Sequence, residues 1–202
     1  MSAAGQVFVL SGPPGAGKST VGARVRQRFP DLAYSVSFTT RAPRPGERDG
    51  VDYHFVTREV FLKKLSSGEM LEHVEIFGNF YGTSAVVICE TVQDGRDLFL
   101  DTDVNGGAAL RQAFPQGVFI FLVPPSPGDL ECRLRGRGTE GEDNIRQRLA
   151  RVTYELAAAK DYTHLVVNTQ VDEAVSDIAA IIRTDRLRTA RRFEEIKRAW
   201  GV

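Results

Sequence analysis

The chain has 202 residues, 42% of them hydrophobic, which suits one domain with insertions and a substantial core. Lys plus Arg number 26 and Asp plus Glu also 26, so the totals give no basic surface of the kind nucleic acid needs. The two cysteines, Cys89 and Cys132, have no metal or disulfide spacing, no apolar run approaches the ~20 residues of a membrane helix, and MSAAGQ at the start has no secretory pattern. A cytoplasmic protein without nucleic-acid or membrane partners is expected.

Gln6 to Leu10 is a short apolar run that ends in a Gly/Pro-rich loop, the pattern of a buried strand. A helix follows from about Lys18 to Phe29, because Val21, Val25 and Phe29 recur every four residues before Pro30 stops the pattern. From Tyr34 to Ser84 the texture changes to short alternating runs, with two Pro and two Gly between Ala42 and Gly50, and reads as an inserted lobe. The strand and helix rhythm then resumes. A helix is expected from Ser84 to about Gln93, a strand from Asp97 to Leu100 and a short helix from about Gly107 to Ala113. A strand from Val118 to Val123, a helix from Asp129 to about Arg135, a helix from Asn144 to Lys160, a strand from His164 to Val167 and a helix from Asp172 complete the order. Such alternation argues for a parallel sheet with helices on both faces.

Between the two helices that flank it, residues 136 to 144, GRGTEGEDN, hold three Gly and no large apolar side chain, so this gap is expected to be mobile. The tail after Thr184 is charged, with Leu187, Phe193 and Ile196 loosely spaced, and reads as a solvated terminal helix packed by a few apolar contacts. His54, His73 and His164 have no metal-ligand spacing and read as structural.

Gly12 to Ser19, GPPGAGKS, fit G-x-x-x-x-G-K-[ST] between a buried strand and an amphipathic helix. Glycines let successive backbone N–H groups curl inward around phosphate at a helix N-terminus. Gly12, Pro13, Pro14, Gly15, Ala16, Gly17, Lys18, Ser19 and Thr20 thus form a candidate ATP cradle, with Lys18 reaching the β- and γ-phosphates and the Ser19 hydroxyl suited to Mg²⁺. The motif names a nucleotide and leaves the reaction open.

The acceptor is indicated by SVSFTTRAPRPGERDGVDYHF, from Ser35 to Phe55, and by LEHVEIFGNFYGTS, from Leu71 to Ser84. Two guanidinium groups, Arg41 and Arg44, and two phenols, Tyr53 and Tyr81, could clamp a phosphate monoester through charge-assisted bonds. Glu72 could accept from both N1–H and N2–H₂ of guanine, whereas adenine offers no such donor pair on that edge. A site built on those bonds rejects a base that lacks them. Asp101, Thr102 and Asp103 end the DLFL strand, at the sheet edge where ligands bind in open α/β folds. Of the 26 basic residues only five are Lys, and Arg133, Arg135, Arg137, Arg146, Arg148 and Arg151 gather around the Gly-rich gap. Such a cluster suits the charge developed in phosphoryl transfer, although Glu131, Glu140, Glu142 and Asp143 could neutralise Arg133, Arg146 and Arg151 as surface pairs.

From the P-loop to about Asn168 these motifs, in this order, resemble the guanylate kinases. The resemblance implies a P-loop three-layer α/β sandwich with a parallel five-stranded core sheet, divided into a core (1–34, 85–134 and 149–202), a mixed α/β GMP-binding lobe at 35–84 and a mobile lid at 135–148. It implies transfer of phosphoryl from ATP to GMP or dGMP with Mg²⁺. By the same resemblance Arg41, Arg44, Tyr53 and Tyr81 hold the GMP phosphate, and Ser37 and Thr83 join Glu72 at guanine. Asp101 serves Mg²⁺ with Ser19, Asp103 holds the acceptor site together, and Lys18, Arg44, Arg137 and Arg148 are catalytic. Asn168, in the LVVNT that resembles the family's V-N-D stretch, implies an adenine contact. Three positions depart from the pattern: Pro14 stands where Ser is frequent, Asn105 where Gln is usual, and Thr169 where Asp is common.

Overall fold

In the computed structural model of the chain the described residues are 4–76, 78–136 and 142–201, with backbone alone for 142–148. Of the expected lid, residues 137–141 therefore lie outside the described residues, Arg137 among them, and so does the side chain of Arg148. The core sheet is built from β1 (Val7–Ser11), β2 (Ala33–Tyr34), β7 (Leu98–Asp101), β8 (Val118–Val123) and β9 (His164–Val167) in the order β2-β7-β1-β8-β9, with every pairing parallel. Four of these strands follow from apolar runs. The fifth, β2, is two residues long and too short to announce itself by alternation.

β1 is buried at all five positions because both of its faces are covered, as in parallel sheets generally. Phe8 and Leu10 pack with Val21 and Val25 of α1 (Lys18–Arg28) and with Ile178 and Ile182 of α7 (Val171–Arg186). Val7 and Val9 pack on the other side with Ile88 of α3 (Ala85–Gln93) and Leu110 of α4 (Val104–Ala113). Helix α4 begins three residues earlier than its apolar pattern suggests. Asp103 caps it, accepting from the N–H of Asn105 at 3.0 Å and of Gly106 at 2.9 Å, and the cap fixes the start that periodicity left open. Helix α5 (Pro127–Arg135) likewise starts at a Pro behind a Ser126 cap. Helix α6 (Glu142–Ala157) ends in a 3₁₀ turn at Ala158–Asp161.

A second sheet, in the order β4-β3-β6-β5, is formed by β3 (Phe38–Thr39), β4 (His54–Phe55), β5 (Met70–Ile76) and β6 (Asn79–Ser84). Its own small core contains Phe61 of α2 (Arg58–Ser66), Met70 and Phe80, with Phe61 stacked on Phe80 at 5.2 Å between centroids. Strand β5 also meets α4, so the end of β7 and the second sheet face one another.

The tail forms α8 (Thr189–Trp200), but apolar contacts do not secure it: Phe193, Ile196 and Trp200 are exposed. Its anchor is ionic. Arg191 pairs with Asp97 and, at 2.6 Å, with Asp185, while Arg186 reaches Asp97 at 2.8 Å and Asp31 at 3.0 Å.

Candidate active site

The loop after β1 turns into α1 through glycines with left-handed backbone, φ +88° at Gly15 and +96° at Gly17. At Gly17 a Cβ would also stand 2.5 Å from the Asn168 side-chain nitrogen, so both conformation and space demand glycine. The Asn168 amide donates to the Ala16 carbonyl at 2.7 Å, and Arg133 donates to the Asn168 carbonyl at 2.8 Å. Asn168 is 2% exposed and thus braces the loop from behind. The Lys18 ammonium donates to the Gly12 carbonyl and, at 3.4 Å, to that of Pro13, which holds the cation at the mouth of the loop.

Opposite the loop, β5 and β6 pair so that Glu72 faces Thr83 across the ladder. The Thr83 hydroxyl donates to Glu72 Oε1 at 2.5 Å. Burial pushes the Glu72 carboxyl above the usual range, and the neighbouring Asp103 charge pushes the same way, while the bond from Thr83 pulls it back. Gly106 on α4 permits this approach: a Cβ there would stand 2.1 Å from Thr102 Oγ1 and 3.0 Å from Glu72 Cδ. Glu47 arranges the arginine loop, accepting from Arg41 Nη2 with both oxygens at 2.9 Å and from the Arg44 N–H at 2.7 Å. The Arg41 guanidinium lies 5.5 Å from the Tyr53 ring centroid, and Tyr53 meets Tyr81 edge to face at 6.0 Å. Burial, aided by the Asp101 charge, lifts the Tyr53 phenol to about 12, so it stays a donor at physiological pH.

One cavity of ≈ 500 Å³ joins the two halves. Gly12, Pro13, Pro14, Gly15, Gly17, Lys18 and Ser19 line one side, and Ser37, Arg41, Arg44, Tyr53, Glu72 and Tyr81 the other. Asp101 and Asp103 stand between. Among the described residues that the resemblance places at ATP or GMP, four do not line it: Ala16 is fully buried, Thr20 is exposed on α1, Thr83 is reached through Glu72, and Asn168 faces the back of the loop. Arg151 and Glu155 are lining residues to which the sequence assigns no role at a ligand. Arg151, read as open to surface pairing, lines the cavity with Glu155 and lies 3.9 Å from Asp103 Oδ2 and 3.6 Å from Glu155 Oε1. The i,i+4 spacing of Arg151 and Glu155 was the available signal. Tyr34, which lines a smaller cavity next to this one, donates to Asp101 Oδ1 at 2.6 Å. Burial, together with the Asp101 carboxylate, pushes its phenol far up.

A P-loop facing a carboxylate, paired arginines and phenols across one cavity is equipped to hold a triphosphate against a phosphorylated acceptor. Comparison with known proteins agrees. The guanylate kinase family model matches residues 4–185. A guanylate kinase of Nitrosospira multiformis is 45% identical over 189 residues, covering 94% of this chain and 90% of its own, and one of Latilactobacillus sakei is 41% identical over the full length of both. The crystal structure of guanylate kinase from Anaplasma phagocytophilum superposes with a TM-score of 0.80 at 32% identity, covering 97% of this chain and 95% of its own. The chain belongs to the guanylate kinase family of nucleoside-monophosphate kinases.

Proposed function

We propose that in this cavity the terminal phosphoryl group of ATP passes to the phosphate of GMP, or of dGMP, with Mg²⁺ required, yielding ADP and the nucleoside diphosphate. The observation that supports this most is the meeting of the phosphate loop and the Glu72 side of the second sheet in a single cavity. On this reading the loop N–H groups and Lys18 bind the ATP phosphates, the ammonium exchanging its carbonyl partners for phosphate oxygens. Arg41, Arg44, Tyr53 and Tyr81 hold the acceptor phosphate in line, and Glu72, with Ser37 and Thr83, takes the guanine edge. An oxygen of the acceptor phosphate forms a bond to the γ-phosphorus as the bond to the bridging oxygen of ADP breaks. The acceptor is already ionised, so no general base is needed.

The groups assigned to GMP address its base and phosphate, which admits a deoxyribose. Ser19 and Asp101 both border the cavity and offer only oxygen donors, the ligand type that suits Mg²⁺ bound through one or two protein groups and substrate phosphates. When bound there, Mg²⁺ supplies charge neutralisation to the β- and γ-phosphate oxygens. Arg137 and Arg148 complete the proposal as lid cations that approach the transferring group and exclude water. We place the core at 1–34, 85–134 and 149–202, the acceptor lobe at 35–84 and the lid at 135–148. ADP release measured with ATP and GMP, dGMP, AMP, UMP or a phosphorylated sugar tests the reading. Turnover with GMP and dGMP alone is expected; equal turnover with AMP would refute the role of Glu72.

A further inference from the structure

The two groups that the proposed function gives to Mg²⁺ stand on different elements, Ser19 on α1 and Asp101 at the end of β7. A separate line of contacts joins the same two elements. Tyr34 donates its phenolic hydrogen to Asp101 Oδ1 at 2.6 Å, from the neighbouring strand β2. The Arg26 guanidinium carbon lies 3.9 Å from the centroid of the Tyr34 ring, while Phe99 stacks with that ring at 6.5 Å and 29° between planes. Arg26 follows Ser19 on α1 by seven residues, two turns on the same helix face. Ser19, Arg26, Tyr34 and Asp101 all border a smaller cavity of ≈ 140 Å³ beside the main one.

We infer that Arg26 and Tyr34 form a clamp between α1 and β7 that sets the position of the Asp101 carboxylate relative to the Ser19 hydroxyl, and through it the affinity for the divalent cation. The inference rests on the Mg²⁺ reading above. Neither residue is among those the family resemblance marks. A carboxylate with one oxygen held by a short O–H···O bond has lost much of its rotational freedom before any cation arrives, so less ordering remains to oppose binding. The hydroxyl can hold it only if the ring itself is fixed. Strand β2 contributes just two residues at the edge of the sheet, a weak support, and the guanidinium on one side with Phe99 nearby supplies the rest. Because the guanidinium comes from the helix that carries Ser19, a shift of α1 would be transmitted to Asp101. Tyr34 and Arg26 are therefore positioning residues; neither needs to touch the nucleotide.

Tyr34→Phe removes the hydroxyl and keeps the ring, so the packing against Phe99 is preserved. Calorimetric titration of ADP in Mg²⁺ and in EDTA gives the cation-dependent gain in ADP affinity. In Tyr34→Phe that gain is expected to fall on the order of 10-fold, the lower end for residues that orient metal ligands. ADP affinity in EDTA should stay at the wild-type value, and the Mg²⁺ concentration for half-maximal rate should rise with an unchanged KM for GMP. Arg26→Gln should lose in the same direction. A wild-type cation-dependent gain in either variant overturns the clamp, and so does an equal loss of ADP affinity in EDTA, which would mean general damage to the loop. Asp101→Asn separates the two levels: if it too retains the full gain, the Mg²⁺ assignment itself fails; if it loses the gain while Tyr34→Phe keeps it, only the clamp fails.

Discussion

Glu72→Gln should move activity and stability in opposite directions. Glu72 lies opposite Thr83 on the ladder, accepts its hydroxyl at 2.5 Å, and is partly buried beside Asp103. Gln keeps the shape but replaces one acceptor oxygen by an amide N–H₂ that faces the guanine donors. Losing a charge-assisted bond costs about 1.5–3 kcal/mol, and the unpaired donor adds about 1–3 kcal/mol. Together these lower kcat/KM for GMP by roughly 10² to 10⁴. Stability follows the other sign. Burial raises the Glu72 pKa above its unfolded value, so the native state holds its proton more readily, and stability falls as pH rises between the two values. Above the folded pKa the full penalty for the buried charge is present, and Gln removes it. The melting temperature without ligand is therefore expected to rise at a pH above that folded value. The KM for GMP of the wild type should climb as pH falls through the raised Glu72 pKa, and the variant should lose that dependence. ADP release with GMP and AMP, paired with thermal melts, measures each quantity. A variant that melts lower yet keeps its preference for GMP over AMP would refute the reasoning.

Two further substitutions probe the parts around the cavity. Asn168→Ala leaves the Ala16 carbonyl without its buried donor, which should cost about 1–3 kcal/mol in chemical denaturation and raise KM for ATP but not for GMP. A change in KM alone, with stability intact, would favour the adenine contact implied by the resemblance. Arg191→Met leaves Asp97 and Asp185, 9% and 6% exposed, short of a shared cation. Arg186 still pairs with Asp97 and Arg188 with Asp185, so stability should drop by about 1.5–3 kcal/mol, with kcat unchanged at 25 °C because Asp97 precedes β7, at the end of the strand away from the cavity. Loss of turnover at full stability would contradict that placement.

Most of the core was legible because its signals are contiguous. The P-loop is one string, and β1 and β8 are unbroken apolar runs that only a strand covered on both faces explains. Where the signal depends on partners distant in sequence, reading along the chain failed. Tyr34 belongs to a two-residue strand whose only sign is its pairing with β7. The facing of Glu72 and Thr83 is set by a register shifted between Met70 and Glu72, which no spacing discloses. The string around Asn168 suggests a nucleotide contact, but its bond to the Ala16 carbonyl joins residues 152 positions apart, which no string discloses. The tail was expected to pack through apolar contacts, and it is held by Arg191 on two carboxylates 94 and 6 residues away.

Phosphoryl transfer between the two halves of the cavity can be followed with ATP labelled in its γ-phosphate. With GMP as acceptor, the label should appear in the β-phosphate of GDP in step with ADP release, and AMP should take up none. Label recovered as inorganic phosphate whether or not GMP is present, with no labelled GDP, would contradict the account.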